Sequence, residues 1–393
     1  MTPIAARILL VTRNFPPLWG GMERLNWHMA AELARQYTLT LIGPAGATAH
    51  SPPGVTVHEA PLRPLAYFML IATWQSLRSA WAIKPAVVLA GSGLTAPLAW
   101  IAARFSRARA IAYVHGLDIT VSHPVYRLLW LPFLRRMDRI IANSHATAQL
   151  AQCAGVRAER IVIVHPGVAL PEPLSSAEQL RQRTDFRARH GLGEGPLLLS
   201  VGRLTTRKGL REFVVEVLPR IVAARPDTIL AIVGETPAYA LHAQSQTPES
   251  IQAAADAVGV GAHVRFLGAI HDMALASAYY AADVHVFPVR DIPNDPEGFG
   301  MVAIESAAHG LSTVAYATGG VVDAVRDGCS GDLIKPGDYQ SMVNSIIKHL
   351  QGSSYTTIMA CRTFAADFSW PKFGVALRQL CQNLITSSGK GGT

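Results

Sequence analysis

Short apolar runs rich in β-branched residues alternate along this chain with longer amphipathic stretches. A first series of such runs predicts strands at 7–12, 39–43, 86–91, 110–116, 139–144 and 161–167. A second series predicts strands at 197–203, 228–235, 264–268, 284–288 and 312–317. Helical stretches fill the gaps, as in right-handed β-α-β crossovers. The pattern therefore predicts an α/β fold with two doubly wound parallel sheets.

A polar stretch at 172–189 separates the two series and predicts a linker. With 393 residues, the chain is also too long for one ordinary core. We therefore predict Rossmann-like domains at 1–171 and 190–366, followed at 367–388 by a helix that packs back toward the N-terminal domain. In doubly wound sheets ligands bind outside the carboxyl ends of the strands, so functional residues are expected in the loops that follow strands.

Composition adds a charge argument. The formal net charge is +8, from 35 Lys and Arg against 27 Asp and Glu, while 50% of the residues are hydrophobic and 16% are charged. The apolar content argues against a disordered chain. The positive balance is typical of a protein that binds a nucleotide, a nucleic acid or an acidic membrane surface, although a basic enzyme without such a partner explains it equally well.

Cysteine use and hydrophobic runs bear on the compartment. The 4 cysteines are far apart and form no Cys/His cluster, which favours reduced thiols. No signal-peptide pattern precedes the first predicted strand, so we expect a cytoplasmic protein. The uncharged run at 85–103 has the length of a membrane span, but its Gly-Ser-Gly and Pro97 favour a buried strand, a turn and a helix.

Glycines and a histidine follow predicted strands of the first series. Gly20 and Gly21 open a helix after the first strand, where backbone N–H groups can approach a phosphate. An ordinary flexible turn accounts for these glycines equally well. His115 ends a later strand and can orient a substrate or contact a phosphate, although a structural histidine is the simpler explanation for the position alone.

The segment VVLAGSGLTA matches the dinucleotide fingerprint G-x-G-x-x-A at Gly91, Gly93 and Ala96. The acidic residue expected about 20 positions later is missing, because the next strand ends in His115, and Asp118 is only a loose substitute. The motif also follows a later strand, whereas the fingerprint usually follows the first. It defines the alternative function, an NAD-dependent oxidoreductase.

The segment SVGRLTTRKG places Arg203 at a strand end and Lys208 five residues later, before a helix that begins near Gly209. Two cations at a helix N-terminus favour a diphosphate. A charge run on a solvated face is the alternative interpretation, and it explains Arg207 better than Arg203. Gly234 ends a later strand and is a candidate for lining a nucleotide base pocket.

The segment EGFGMVAIE separates two glutamates by a Gly-Phe-Gly turn and an apolar run. On a helix of ~3.6 residues per turn, Glu297 and Glu305 would only roughly share a side. We instead predict Glu297 on a loop and Glu305 inside a helix opened by Gly300, whose backbone N–H groups can receive an anion. We therefore expect a ligand-binding site in which the two carboxylates lie at different depths.

Together these motifs resemble the retaining glycosyltransferases of family 4, and mannosyltransferase-like members in particular. That family has the GT-B fold, in which two Rossmann-like domains face each other across a cleft. The resemblance implies that the N-terminal domain, 1–171, binds the acceptor and the C-terminal domain, 190–366, binds the nucleotide sugar. The resemblance spans nearly the whole chain. It is carried by Gly20-Gly21, His115-Gly116, HPGV at 165–168, GRLTTRKG at 202–209, EGFGMVAIE at 297–305, Gly319-Gly320 and DGCSG at 327–331.

The resemblance implies a role for each site residue. Arg203 and Lys208 would bind the donor's diphosphate with help from Gly21, and His115 would contact the sugar near the reacting carbon. Glu297 would hold the hexose hydroxyls and Glu305 the ribose hydroxyls. Backbone from Gly298 to Met301 would surround the sugar, so that the donor-binding set comprises Gly20, Gly21, Gly234, Gly298, Phe299, Gly300, Met301, Val302 and Glu305.

The same resemblance implies retaining transfer of a hexose, from GDP-mannose in slight preference to a UDP-hexose, to a glycan or lipid-linked acceptor. The sequence has no metal-binding motif, so we expect no metal, no cofactor and no nucleic-acid partner. The aromatic, basic segments 63–81 and 124–139 suit a helix in the headgroup layer of an anionic membrane, or else they pack on the sheet with solvated arginines. With a lipid-linked acceptor, we expect peripheral contact with the inner face of the cytoplasmic membrane.

Overall fold

The structure, a computed structural model, describes residues 6–236, 246–352 and 354–389. The chain divides into two compact units. The first comprises Met1–Gly167 and Trp370–Thr393, and the second comprises Val168–Ser369. The second unit is therefore an insertion in the sequence of the first.

The first unit is built on a parallel sheet. Its described strands are β1 (Arg7–Val11), β2 (Thr38–Pro44), β3 (Thr56–Ala60), β4 (Val87–Ala90), β5 (Arg109–Val114), β6 (Arg139–Ala142) and β7 (Ile161–Ile163). They lie in the order β3-β2-β1-β4-β5-β6-β7. The strand order reverses beside β1, whose Leu9 pairs with Thr40 on one side and Val88 on the other. Loops at this reversal are where a doubly wound sheet binds ligands.

Helices cover both faces of this sheet, which is why its central strands are apolar on both sides. The described helices of the first unit are α1 (Gly21–Ala34), α2 (Leu65–Ile83), α3 (Ala96–Ser106), α4 (Leu117–Thr120), α5 (Pro124–Leu129), α6 (Leu131–Arg136), α7 (His145–Cys153) and α17 (Trp370–Gly389). The run at 85–103 forms β4, a 3₁₀ turn and α3, as predicted. None of the described helices is both long and apolar enough to cross a membrane.

Helix α17 returns to the first unit and packs on α1. Arg378 forms an ion pair with the buried Glu32, and the ring of Trp370 stacks on His28 with 3.7 Å between centroids. The helix expected at 367–388 begins at Trp370, with Pro371 in its first turn, where a missing N–H costs nothing.

The second unit is built on another parallel sheet. Its described strands are β8 (Leu197–Val201), β9 (Ile229–Val233), β10 (Val264–Gly268), β11 (Val284–Phe287), β12 (Thr313–Tyr316) and β13 (Gly331–Ile334). They lie in the order β10-β9-β8-β11-β12-β13. Its described helices are α8 (Ser176–His190), α9 (Leu210–Glu216), α10 (Leu218–Ala224), α11 (Pro248–Ala257), α12 (Asp272–Ala281), α13 (Met301–Ala308), α14 (Val321–Ala324), α15 (Tyr339–His349) and α16 (Tyr355–Ala366). The predicted α/β class, with two doubly wound parallel sheets, is confirmed.

The polar stretch at 172–189 is not an open linker, which corrects the prediction. Most of it forms α8, which begins with a reciprocal capping box between Ser175 and Glu178 and belongs to the second unit. Arg187 of this helix is 1% exposed and pairs with Asp283 at 2.9 Å. The stretch is polar because it carries buried ion pairs as well as a solvated face.

Strands β3 and β13 were not predicted, and both lie at a sheet edge. The side chains of β3 (TVHEA) are partly exposed along most of the strand, and those of β13 (GDLI) similarly. An edge strand has a neighbour on one side only, so it needs fewer apolar residues than a central strand. A search for continuous apolar runs therefore finds the central strands and misses these two.

Candidate active site

The cationic segment after β8 forms a tight turn. Strand β8 ends at Val201, a 3₁₀ turn spans Thr206–Lys208, and Gly209 precedes α9. Gly209 has φ +70°, and a Cβ at this position would lie 2.0 Å from the carbonyl oxygen of Pro288. Only glycine combines this conformation with so close an approach. The turn thereby places Lys208 against strand β11.

The exposure of the two arginines in this segment is the reverse of what the sequence analysis favoured. Arg203 is exposed, and within the described residues it makes no hydrogen bond or ion pair. Arg207 is only 8% exposed. Its guanidinium lies between Asp295, at 3.3 Å, and Glu297, at 2.6 Å. The interpretation of Arg207 as a solvated charge is therefore wrong, because two carboxylates hold it inside the site.

Glu297 is the centre of this ion network. Its Oε2 accepts hydrogen bonds from Arg207 Nη1 at 2.6 Å and from Lys208 Nζ at 2.9 Å. The Lys208 and Glu297 side chains are 13% and 11% exposed. Lys208 Nζ also lies 4.6 Å from the centroid of the Phe287 ring, a cation–π contact. Glu297 is thus the counter-ion of Lys208, a role that the sequence analysis did not assign.

The ion network shifts the pKa values of the residues within it and beside it. Burial alone would raise the pKa of Glu297, but Arg207 and Lys208 more than offset it and hold that pKa at about 2. Burial lowers the pKa of Lys208, and Glu297 acts in the opposite direction. Burial, and then Lys208, lower the pKa of the fully buried His285 to about 3. Glu297 is therefore ionised, and His285 neutral, at pH 7.

The loop that carries Glu297 leads into α13, which confirms the predicted arrangement of the two glutamates. Gly300 precedes this helix with φ +95°, and Glu305 lies inside it. Gly320 donates a backbone hydrogen bond to the Glu297 carbonyl at 2.8 Å. A Cβ on Gly320 would lie 2.0 Å from the carbonyl oxygen of Gly298, so this glycine lets the two loops touch. The Glu297 backbone is consequently fixed by a loop that follows β12.

The other members of the predicted donor set occupy this unit at different depths. Phe299 is 3% exposed and packs near Phe368, so only its backbone can face a ligand. Met301 and Val302 are partly exposed in the first turn of α13. Glu305 is 7% exposed, and Tyr279 donates a hydrogen bond to its Oε2 at 3.2 Å. Gly234 follows β9 and donates to the Gly268 carbonyl at 2.9 Å.

Gly20, Gly21 and His115 lie in the first unit, each just after a strand or at a helix start. Gly21 is exposed in the first turn of α1, and the Glu23 carboxylate lies over Gly20. His115 Nε2 lies 3.0 Å from the carbonyl oxygen of Gly91. Since a carbonyl only accepts, Nε2 carries the proton, and Nδ1 of the neutral ring is an acceptor. His115 is 8% exposed.

The G-x-G-x-x-A match does not form a phosphate cradle. The Gly93 N–H donates to Asp118 Oδ2 at 2.7 Å, and the Gly91 carbonyl is shared by Asn26 and His115. The motif follows β4 rather than β1, and its amide is occupied by a carboxylate of the same chain. Neither the structure nor any similar protein described below supports the oxidoreductase alternative.

Two family models match the chain. The model described as Glycosyltransferase Family 4 matches residues 19–171, and the model described as Glycosyl transferases group 1 matches residues 182–362. The fold and these matches define the class of protein, a glycosyltransferase that uses a nucleotide sugar. The chain belongs to glycosyltransferase family 4, whose members have the GT-B fold.

Relatives and solved structures agree with this assignment. The chain is 28% identical to the GDP-mannose-dependent alpha-(1-6)-phosphatidylinositol monomannoside mannosyltransferase of Mycolicibacterium smegmatis, over 95% of this chain and 97% of that protein. It is 33% identical to the D-inositol 3-phosphate glycosyltransferase of Geodermatophilus obscurus, over 60% of this chain and half of that protein. Its fold matches Anabaena HepE in complex with UDP, with a TM-score of 0.77 and 18% identity, over 96% of this chain and 100% of that one. Sucrose-phosphate synthase from Thermosynechococcus elongatus also gives 0.77, at 20% identity, over 97% of this chain and 100% of that one.

Proposed function

We propose that this glycosyltransferase is retaining and metal-independent, and that it transfers a hexose from GDP-mannose, or next from a UDP-hexose, to a lipid-linked glycan acceptor in surface polysaccharide or glycolipid synthesis. The observation that carries the proposal is the network of Glu297, Arg207 and Lys208, with the exposed Arg203 on the same segment. Cations held in place before the reaction stabilise the charge that grows on a leaving diphosphate.

In the proposed reaction Lys208 changes partner. The diphosphate draws Lys208 and Arg203 to itself, and the Glu297 carboxylate then accepts hydrogen bonds from hexose hydroxyls. Arg207 stays on Asp295 and Glu297 and keeps the loop in place. Because the charge on the diphosphate increases as the glycosidic bond breaks, these cations bind the transition state more tightly than the ground state. Glu305 binds the ribose hydroxyls, and the first unit contributes His115 Nδ1 as an acceptor near the sugar.

The proposed retaining reaction uses no nucleophilic carboxylate of the protein. Glu297 is weakly basic in the free protein, with a pKa of about 2, and it keeps Arg207 as a partner after Lys208 moves to the diphosphate, so it is a poor nucleophile. We therefore propose that the acceptor attacks on the same face from which the diphosphate departs, and that a phosphate oxygen takes the acceptor proton. The new glycosidic bond forms as the C–O bond to the diphosphate breaks, so the anomeric configuration is kept.

The donor preference rests on the mannosyltransferase of M. smegmatis, whose name specifies GDP-mannose. A panel of GDP-mannose, UDP-glucose, UDP-galactose and NAD tests it, with thermal shift for binding and nucleotide release for turnover. We expect the largest stabilisation from GDP-mannose. Turnover of UDP-sugars alone would reverse the donor assignment, and stabilisation by NAD alone would remove the proposal altogether.

We also propose that the protein contacts the inner face of the cytoplasmic membrane through helix α2. Tyr67, Leu70, Trp74 and Trp81 form an exposed stripe on one side of this helix, 47%, 65%, 56% and 71% exposed. The guanidinium of Arg78 lies 5.4 Å above the Trp74 ring, and α2 contains no acidic residue. Exposed aromatic rings beside cations suit the headgroup layer of an anionic membrane.

Segment 124–139 contributes less to such a surface than its sequence suggests. The helix is interrupted at Trp130, which lies between α5 and α6 and close to Pro132. Tyr126 and Trp130 donate hydrogen bonds to the carbonyls of Asp118 and Leu94, and Leu131 is buried. Arg135 is bound to the Ala154 carbonyl at 2.6 Å. The exposed residues of α5 are Pro124, Val125, Arg127, Leu128 and Leu129.

Sedimentation with vesicles tests the membrane contact. Wild-type protein is expected to pellet with anionic vesicles at low salt and to leave them at high salt, because each basic residue near the surface adds ~1 kcal/mol. Trp74→Glu/Trp81→Glu should stay in the supernatant. Met273→Glu, an 81% exposed site in the second unit, is the matched control and should pellet as wild type does. Equal pelleting of the tryptophan variant would show that α2 is not the contact.

A further inference from the structure

Among the residues that the structure describes, Arg13 is a buried cation without a partner. It follows β1 at the carboxyl edge of the first sheet and is 5% exposed. Across the described part of the chain its guanidinium forms no ion pair and no hydrogen bond, and its Nε is fully enclosed. An unpaired buried charge costs several kcal/mol, roughly, so its retention requires an explanation.

Other unsatisfied polar atoms line the same edge of this sheet. Ser92 follows β4 and Asn143 follows β6, while Asn26 on α1 donates to the Gly91 carbonyl at 3.3 Å. Ser92 Oγ, Asn26 Oδ1 and Asn143 Oδ1 are all buried without a hydrogen-bond partner. Buried polar atoms are normally satisfied, so several at one edge indicate a polar ligand with groups to offer them.

The charges around Arg13 make this edge attractive to an anion. Burial, and then Arg63, which follows β3, lower the pKa of Arg13, while Glu23 acts in the opposite direction. The nearby carboxylate of Glu23 accepts a hydrogen bond from Asn14 at 2.8 Å rather than from Arg13. Two arginines and one carboxylate thus act on this region, which leaves it with a net positive charge.

We propose that this edge of the first unit is a subsite for an oxyanion, a phosphate or a carboxylate, carried by the acceptor. Arg13 donates paired N–H bonds to the oxyanion, a geometry that a guanidinium forms well, and Arg63 adds charge. Ser92, which follows the neighbouring strand β4, binds a polar group beside the anion. The inference rests on the proposed function, together with the expectation from the family resemblance that the N-terminal domain binds the acceptor.

Calorimetric titration of inorganic phosphate tests the subsite. The protein is first saturated with GDP, so that Arg203 and Lys208 are occupied. Wild type should bind phosphate saturably, and Arg13→Gln should weaken this binding at least ~10-fold, the loss expected of a charge-assisted hydrogen bond. Arg63→Gln, an exposed site, should weaken it ~3-fold by removing a nearby charge. Arg104→Gln, exposed on α3, is the control and should match wild type.

A parallel titration with acetate separates the two oxyanion classes, since the better-bound probe identifies the group on the acceptor. Absence of saturable binding of both probes to wild type would overturn the proposal, as would wild-type affinity in both Arg13→Gln and Arg63→Gln. Arg63→Gln keeps the test decisive should Arg13→Gln not fold. If GDP fails to bind, the proposed function fails, and the phosphate titration of Arg203→Ala/Lys208→Ala still reports on the subsite.

Discussion

The second sheet carries at its carboxyl edge an anion held between two cations, whereas the first sheet carries there a cation that no carboxylate of the described residues pairs. Glu297 holds Arg207 and Lys208 within hydrogen-bond distance. Arg13 is as deeply buried as Arg207 but makes no such contact within the described residues. The two edges belong to sheets of the same architecture, so the difference lies in the loops.

This difference matches the two substrates of the proposed reaction. The charge on a diphosphate must be met in a fixed geometry, so the second unit holds its cations in place with an internal carboxylate. The first unit instead keeps a buried arginine that, within the described residues, has no internal counter-ion, and in our proposal the acceptor's oxyanion supplies one. The comparison therefore teaches that one edge is organised before its ligand arrives, while the other is completed by its ligand.

The largest effect is expected from Lys208→Ala, which removes a cation from the carboxyl edge of the second sheet. Transfer should fall at least ~10²-fold, typical of losing a preorganised charge at a reacting centre, and GDP binding should weaken as well. Steady-state transfer and GDP calorimetry measure the two effects. Arg211→Ala, an exposed site on α9, is the matched control. Unchanged GDP affinity in Lys208→Ala would mean that the diphosphate is bound elsewhere.

Glu297→Gln should also lower transfer by ~10²-fold, because the sugar loses its carboxylate. Its effect on nucleotide affinity should have the opposite sign to that of Lys208→Ala. Without Glu297, Arg207 and Lys208 lack an internal counter-ion, so GDP should bind ~2- to 10-fold more tightly. Calorimetry of both variants checks the sign. Weaker GDP binding in Glu297→Gln would show that the carboxylate organises the cations more than it competes for them.

The ion network should also be visible in acid stability. The pKa of Glu297 in the folded protein is about 2, below its ordinary value of 4.5, so its ionised form stabilises the fold above pH 4.5. That contribution, up to ~3 kcal/mol, is lost as the pH falls from 4.5 through 2. Urea unfolding at pH 6, 4.5 and 3 should therefore show a gap between wild type and Glu297→Gln that narrows with acidification. Asp291→Asn, exposed on the same loop, is the control and should show no changing gap.

The smallest effect is expected from metal removal. If protein cations and helix dipoles alone meet the diphosphate charge, EDTA should change transfer by less than about twofold. The assay compares chelated protein with and without added Mg²⁺ or Mn²⁺. Loss of transfer on chelation, restored by either ion, would show that the organised edge is incomplete without a metal.

The sequence was sufficient for local features of the fold and the site. It predicted the central strands, the helix opened by Gly300 and the placement of Glu297 on a loop, because each depends on a short apolar pattern or a glycine. It did not reveal that Lys208 and Glu297 form an ion pair, since they are 89 residues apart. It also favoured the solvated position for Arg207 instead of Arg203, because exposure in a short cationic turn depends on what packs against it. Likewise, only the folded structure reveals that Arg13 has no counter-ion among the described residues.

The insertion of Val168–Ser369 within the first unit has a consequence for biosynthesis. Because a ribosome extends the chain from its N-terminus, helix α17 is made only after the entire second unit. Until then Glu32 has no Arg378, and His28 has no Trp370 to stack on. The unit that begins first is thus the one finished last, and a nascent chain interrupted before Trp370 would present an incomplete α1 surface to chaperones and proteases.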